Sequence, residues 1–165
     1  MDRGITQRED ALPREAIVAD IGGTNARFAV ADLATLELSH ISQILCAAHP
    51  TLTAAFRAYL AGLSAPLDHA AIAVAAPVTG EEVHLTNSPW SFTKHELCRA
   101  VGLKGVLVLN DFEALALSLP HLAPAELYQI GGAPAEEHAT KMVLGPGTGL
   151  GVAGLVWSGE RWIAV

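Results

Sequence analysis

The stretch 142-MVLGPGTGLGVAGLV-156 carries five glycines within ten residues, and Gly149, Gly151 and Gly154 spell G-x-G-x-x-G. How it is read decides the fold. A dinucleotide-binding turn needs a strand, a glycine turn and then a helix whose N-terminus faces the pyrophosphate. Here LVWSGERWIAV follows, rich in β-branched and aromatic residues and without a helical period. The spacing is therefore accidental, and the stretch is predicted to be a hairpin turned on Gly-Thr-Gly. A P-loop is excluded as well, because Gly-Lys-Ser/Thr occurs nowhere in the chain.

A second hairpin of the same kind lies near the start. AIVADI (16–21) and ARFAVA (26–31) are strand runs joined by GGTN, too short a link for a strand–helix unit. A longer run, LELSHISQIL (36–45), completes a meander. Leu52, Ala55, Phe56, Tyr59, Leu60 and Leu63 recur at helical spacing. AAIAVAAPV (70–78) reads as a buried strand and EEVHLTN (81–87) as a short edge strand. Thr93 and Glu96 form a capping box for a helix that Gly102 stops. GVLVLN (105–110) is continuously apolar, as in a strand covered on both faces. Asp111 to Leu119 is a helix ended by Pro120, and ERWIAV begins a further strand. A meander followed by alternating strands and helices predicts an α/β fold with a mixed sheet flanked by helices. The repeated glycine hairpin predicts two related lobes.

Composition narrows the function. The 165 residues are 51% hydrophobic and 16% charged, which excludes disorder. The net charge is −7, and no Lys/Arg cluster is available to track a phosphate backbone, so nucleic acid is not an expected partner. No apolar run reaches membrane-spanning length, and the opening MDRGITQREDALPREA has no apolar core. Cys46 and Cys98 are far apart and fit free thiols in a reducing cytoplasm. The seven histidines have no metal-ligand spacing, and no Ser/His/Asp set emerges; His84 reads as a solvated edge residue.

Four segments can carry chemistry. In DIGGTN the glycines let backbone N–H groups approach an anion, and Thr24 adds a hydroxyl. Asp20 would be repelled by phosphate and makes sense as an indirect ligand of hydrated Mg²⁺; a tight hairpin with a turn-favouring Asp explains the same residues. GPGTGLG resembles the first turn, and two facing glycine hairpins could clamp a polyphosphate. In VLVLNDFEAL a strand delivers Asn110 and Asp111 at its carboxyl end, where α/β folds place ligands. Asn110 can hydrogen-bond sugar hydroxyls, and Asp111 can take the proton of a hydroxyl that attacks a phosphoryl group; Asp111 is also a favoured N-cap at the start of the helix, and the two roles do not exclude each other. In TNSPWSFT, Asn87 stands beside an aromatic face as in sugar sites, though taken alone the segment reads first as a stiff structural turn on Pro89 and Trp90.

Together DIGGTNARFA (20–29), AAPVTG (75–80), LTNSPW (85–90), LNDFEALA (109–116) and GPGTGLGVA (145–153) resemble the bacterial glucokinase family. That family lies in the actin-like (ribonuclease H-like), hexokinase-type ATPase superfamily. The resemblance implies transfer of the γ-phosphoryl group of ATP to the 6-hydroxyl of glucose with Mg²⁺, in the cytoplasm, by a homodimer. It implies that Asp20, Gly22, Gly23, Thr24 and Asn25 form the first phosphate loop, with Asp20 reaching Mg²⁺ through water. Gly147, Thr148 and Gly149 would form the second. Asn110, with Asn87, would hold the sugar, and Asp111 would be the base. The related group of repressors and sugar kinases is set aside, because its repressor members carry an N-terminal DNA-binding helix pair. The expected organisation is a mobile tail (1–15), a small lobe (16–121) and the beginning of a large lobe (122–165). On this reading the chain covers the first half of such an enzyme, the second lobe is truncated, and the chain alone is inactive. The alternatives are a non-catalytic actin-like half-module that binds nucleotide or a partner chain and self-associates, or a kinase of another hexose.

Overall fold

A computed structural model describes residues 13–146 and 150–165. The N-terminal segment 1–12 and the Gly147–Gly149 turn lie outside the described residues. Side-chain alternation orients the first strand, β1 (Glu15–Ile21): Ile17, Ala19 and Ile21 are buried on one face, while Asp20 is exposed on the other. β1 pairs antiparallel with β2 (Asn25–Asp32), which pairs antiparallel with β3 (Leu38–Leu45). The expected meander is thus observed. Its first strand starts inside the segment read as a tail, and Arg14 reaches Asp32 at 3.5 Å. β4 (His69–Val74) and β7 (Gly105–Asn110) then add parallel to β1, giving the order β3-β2-β1-β4-β7.

One face of this mixed sheet is covered by α1 (Leu52–Leu60), α2 (Lys94–Val101) and a small ribbon of β5 (Glu82–His84) and β6 (Ser91–Thr93). The predicted stripe on α1 is buried through Leu52, Ala55, Phe56 and Tyr59. Phe28 receives the Phe56 ring edge-on at 5.3 Å and stacks on Tyr59 at 5.0 Å. β6 is absent from the sequence reading, since three residues are too few to show a period. His84 is exposed at the ribbon's edge, as expected, and its ring lies 3.1 Å from Glu82.

Thr93 caps α2, its Oγ1 accepting from Glu96 N at 3.1 Å, and Gly102 ends it at φ +79°. The Glu96 carboxylate accepts from the Thr93 hydroxyl at 2.9 Å. Thr93→Ala is expected to cost about 1 kcal/mol, seen as a Tm lowered by a few degrees; an unchanged Tm would show that the cap is dispensable.

The reading of 105–110 as a strand covered on both faces is corrected. β7 lies at the edge of the described sheet; Val108 points into the core, while Leu107 is 55% exposed on the opposite face. A continuous apolar run reports hydrophobic residues, not the element that covers them. The second sheet, β10-β9-β8, consists of β8 (Lys141–Pro146), β9 (Leu150–Trp157) and β10 (Trp162–Ala164), all antiparallel. A strand does follow the glycine turn, as the absence of a helical period required. The helix α3 (Asp111–Ser118) buries Ala116 against Ala153 and Leu155 of this second sheet. The sequence reading kept that helix with the first lobe; its main packing is with the second sheet.

Candidate functional site

Parallel pairing fixes where the site residues emerge. In the ladder Ile21 lies opposite Val74, and Val74 opposite Asn110, so β1, β4 and β7 end level. The glycine turn after β1, the 75–78 loop after β4 and Asp111 after β7 therefore leave one edge of the sheet. Ile21 and Asn110, two strands apart, are about 10 Å from each other. The carboxyl edge of parallel strands is where open α/β sheets bind ligands.

Asn110 is the helix cap here, which corrects the assignment of that role to Asp111. Its Oδ1 accepts from Phe112 N at 3.0 Å and Glu113 N at 3.4 Å, and its Nδ2 donates to Ala76 O at 3.2 Å. One amide N–H of Asn110 remains for a ligand. Asp111, one residue further on, is already helical. Its Oδ1 accepts from Phe112 N at 3.0 Å, and among the described residues it forms no ion pair. The Phe112 N–H thus orients the carboxylate. Asn87, Asn110 and Asp111 line one cavity of about 680 Å³, together with the 75–77 backbone, Thr86 and the Gly145 and Gly151 strands.

The first glycine turn stands beside this cavity without lining it. Gly22 N donates to Asn25 O at 3.0 Å and closes the hairpin, so its N–H is not open to an anion. The N–H groups of Gly23 and Thr24 have no backbone acceptor among the described residues. The turn is anchored from outside: Cys46 N donates to Thr24 O at 2.8 Å, and Gln43 Nε2 to Asn25 Oδ1 at 3.0 Å. The Cys46 thiol donates to Gly22 O at 3.5 Å, and burial pushes its pKa up. Asp20 shares its cross-strand position with Arg27, whose Nη1 donates to its Oδ2 at 2.9 Å. Both side chains are more than half exposed, so this pair contributes little stability.

Gly23 links turn and cavity. A Cβ placed there would lie 2.7 Å from Asn87 O and 2.8 Å from Asn87 Cβ. The sequence suggested an anion nest at Gly23, but close approach of two backbones is a separate reason for glycine. Trp90, by contrast, is a core residue, 3% exposed, its Nε1 donating to His49 O at 3.1 Å. It offers no ring to the cavity, and the structural reading of that turn holds. Gly147, Thr148 and Gly149 lie outside the described residues, but the strands flanking them, β8 and β9, wall the cavity through Gly145 and Gly151. Sequence reasoning missed Phe112 and the Ala76 carbonyl. No motif marks a backbone carbonyl, and Phe112 reads simply as a helical apolar residue.

Three comparisons bear on this arrangement. The family model described as Glucokinase matches residues 17–165. A glucokinase of Ralstonia nicotianae is 45% identical over 161 residues, covering 94% of this chain and 46% of that protein. A bifunctional protein of Burkholderia pseudomallei is 46% identical over 150 residues, covering 90% of this chain and 23% of that protein. Among solved structures, a glucokinase from an Antarctic psychrotroph superposes with a TM-score of 0.79 at 35% identity, over 93% of this chain and 49% of that one. A ROK family glucokinase from Streptomyces griseus, solved with glucose and AMPPNP, gives 0.62 at 22% identity and shares the fold. The chain thus spans about half the length of the glucokinases it matches, and about a quarter of the bifunctional protein.

Proposed function

We propose, on the premise that this chain belongs to the glucokinase family, that it supplies the catalytic base and the first phosphate loop for phosphorylating glucose from ATP. The observation that carries this reading is the division of labour at the start of α3. Asn110 takes the helix cap and leaves the Asp111 carboxylate at the cavity, held by Phe112 N and without an ion-pair partner among the described residues.

A sugar seated against Asn87 and the spare N–H of Asn110 would present its 6-hydroxyl to Asp111. The carboxylate accepts the hydroxyl proton as the oxygen attacks the γ-phosphorus in line, and the bond to the β-phosphate oxygen breaks. Holding acceptor and base in fixed geometry converts an encounter into an intramolecular step. The N–H groups of Gly23 and Thr24, without a backbone acceptor among the described residues, suit phosphate oxygens, and Gly147, Thr148 and Gly149 are the residues we assign to the second phosphate loop. Asp20 fits Mg²⁺ only as an outer ligand. It is a single exposed carboxylate already shared with Arg27, and Mg²⁺ on a nucleotide keeps most of its waters. When bound, Mg²⁺ neutralises charge on the transferring phosphate.

The test uses protein from the complete gene, incubated with Mg-ATP and, in separate reactions, glucose and other hexoses, the product being identified by ³¹P NMR. Glucose 6-phosphate is the expected product. An ester on another hexose and not on glucose would move the assignment to a different sugar kinase, and no sugar ester at all would overturn it.

A second reading, an assembly module, is favoured by one observation. Leu144, Leu150 and Val152 lie on the side of the second sheet away from α3, 57%, 67% and 49% exposed. An apolar face of this kind needs a cover. The 165-residue chain alone is therefore expected to self-associate and to turn over glucose at background rate. A monomeric mass in light scattering, with robust turnover, would refute both expectations.

A further inference from the structure

Two loops at the cavity hang from one bracket. The short helical turn Cys46–Ala48 follows β3, and His49 N closes it on Cys46 O at 3.1 Å. Its first residue holds the glycine turn: Cys46 N donates to Thr24 O at 2.8 Å, and the thiol to Gly22 O at 3.5 Å. Its closing residue holds the 85–90 loop, because Trp90 Nε1 donates to His49 O at 3.1 Å. That loop is shut at its base by Leu85 N on Trp90 O at 3.1 Å, and Trp90 N donates to Ser88 Oγ at 3.3 Å. Leu85 and Trp90 are buried, while Thr86 and Asn87 between them line the cavity. The two loops then meet directly at Gly23, where a Cβ would lie 2.7 Å from Asn87 O.

We propose that Trp90 is a positioning residue: its indole N–H, bound to His49 O, holds Asn87 against Gly23 and fixes the spacing between the sugar-side and phosphate-side loops. The inference rests on the phosphotransfer reading above and names how its two ligand loops are kept in register. Gly22 and Gly23 give their turn wide backbone freedom, so its shape has to come from its surroundings. Cys46 supplies that support from behind, through two carbonyls. The Gly23 and Thr24 N–H groups are left without a backbone acceptor among the described residues. The 85–90 loop meets the same bracket through one side chain. A buried indole N–H is a donor that needs an acceptor, and His49 O is the one it has. That bond fixes the direction of the ring and of the loop built on it. Trp90 itself touches no substrate; it acts through Asn87.

The experiment replaces Trp90 by benzothienylalanine in protein from the complete gene, with wild type as reference. This isostere keeps the bicyclic shape and puts sulfur in place of the N–H. Trp90→Phe accompanies it as the encoded variant, and the isostere decides should Trp90→Phe not fold. Misplacement by about 1 Å costs roughly 10²-fold in rate, so a smaller drift should lower kcat about tenfold. KM for the sugar should rise with it. Hydrogen exchange should quicken at 22–25 as well as at 85–89. Added to Asn87→Ala, the isostere should leave the sugar KM almost where Asn87→Ala put it, because no amide remains to be positioned. Such non-additivity identifies action through Asn87. Wild-type kcat and KM values, whether or not Tm falls, would reduce the bond to packing and overturn the proposal. So would faster exchange confined to 85–89, or additive effects on the sugar KM. Absence of sugar phosphorylation in wild type would instead remove the kinase reading, and exchange at 22–25 would still test the coupling of the loops.

Discussion

Asp111→Asn should lower kcat by about two to four orders of magnitude, the range that a positioned general base contributes. Glucose affinity should stay close to wild type. The substitution is close to isosteric, and the amide oxygen can still accept from Phe112 N, which now bonds Asp111 Oδ1 at 3.0 Å. The α3 cap is untouched because it belongs to Asn110. What the amide cannot do is take up the proton of the sugar hydroxyl. Some loss of stability is expected from removing a negative charge in the first turn of a helix, about 0.3–1 kcal/mol. That loss is far too small to account for the rate. Steady-state kinetics beside calorimetric sugar titration separates the effects. Near-normal kcat would remove Asp111 from the role of base, and lost sugar binding would make it a ligand first.

Gly23→Ala is the second large effect, and steric crowding causes it. The new methyl would sit 2.7 Å from Asn87 O and 2.8 Å from Asn87 Cβ, so one of the two loops must withdraw. Overpacking of this kind costs about 1–3 kcal/mol. The functional loss should exceed what that figure suggests, because both loops carry candidate ligands. The displaced turn holds the two open N–H groups, and the displaced loop holds Asn87, which lines the cavity. Both KM values are expected to rise, where Asp111→Asn leaves sugar binding intact. Gly80→Ala is the internal control, since a Cβ there meets nothing within 4 Å. Chemical denaturation and kinetics on the pair test the argument. Equal behaviour of the two variants would show that the Gly23–Asn87 approach is not tight in solution.

Much of the site could be found by reading along the chain, for reasons that are local. Asp20, the first glycine turn, Asn110 and Asp111 each stand where a strand run ends, and strand ends are marked by a change in period. The level termination of β1, β4 and β7 could not be found that way. Register is a relation between residues more than 30 apart, and nothing in one strand states its partner. The helix cap shows the limit at one-residue scale. Asn and Asp are both favoured caps, so Asn110-Asp111 is ambiguous until the backbone shows which of them is extended. At φ −64° and ψ 149°, Asn110 is.

The chain's own order of residues settled the local geometry. Short glycine links between strand runs made hairpins of both glycine turns, and the strand after Gly151 ruled out a dinucleotide fold. Glycine's backbone freedom and the placing of Asp after an apolar strand run are legible from neighbours alone. Only the folded molecule decided what each glycine is for. Gly23 yields space to Asn87, while Gly145 and Gly151 yield it to Phe112. It also decided that Leu107, inside an unbroken apolar run, faces outward. The physical reason is the same in each case. Backbone preference is a property of a residue and its neighbours, whereas the absence of a side chain matters only through the distant atom that fills its place.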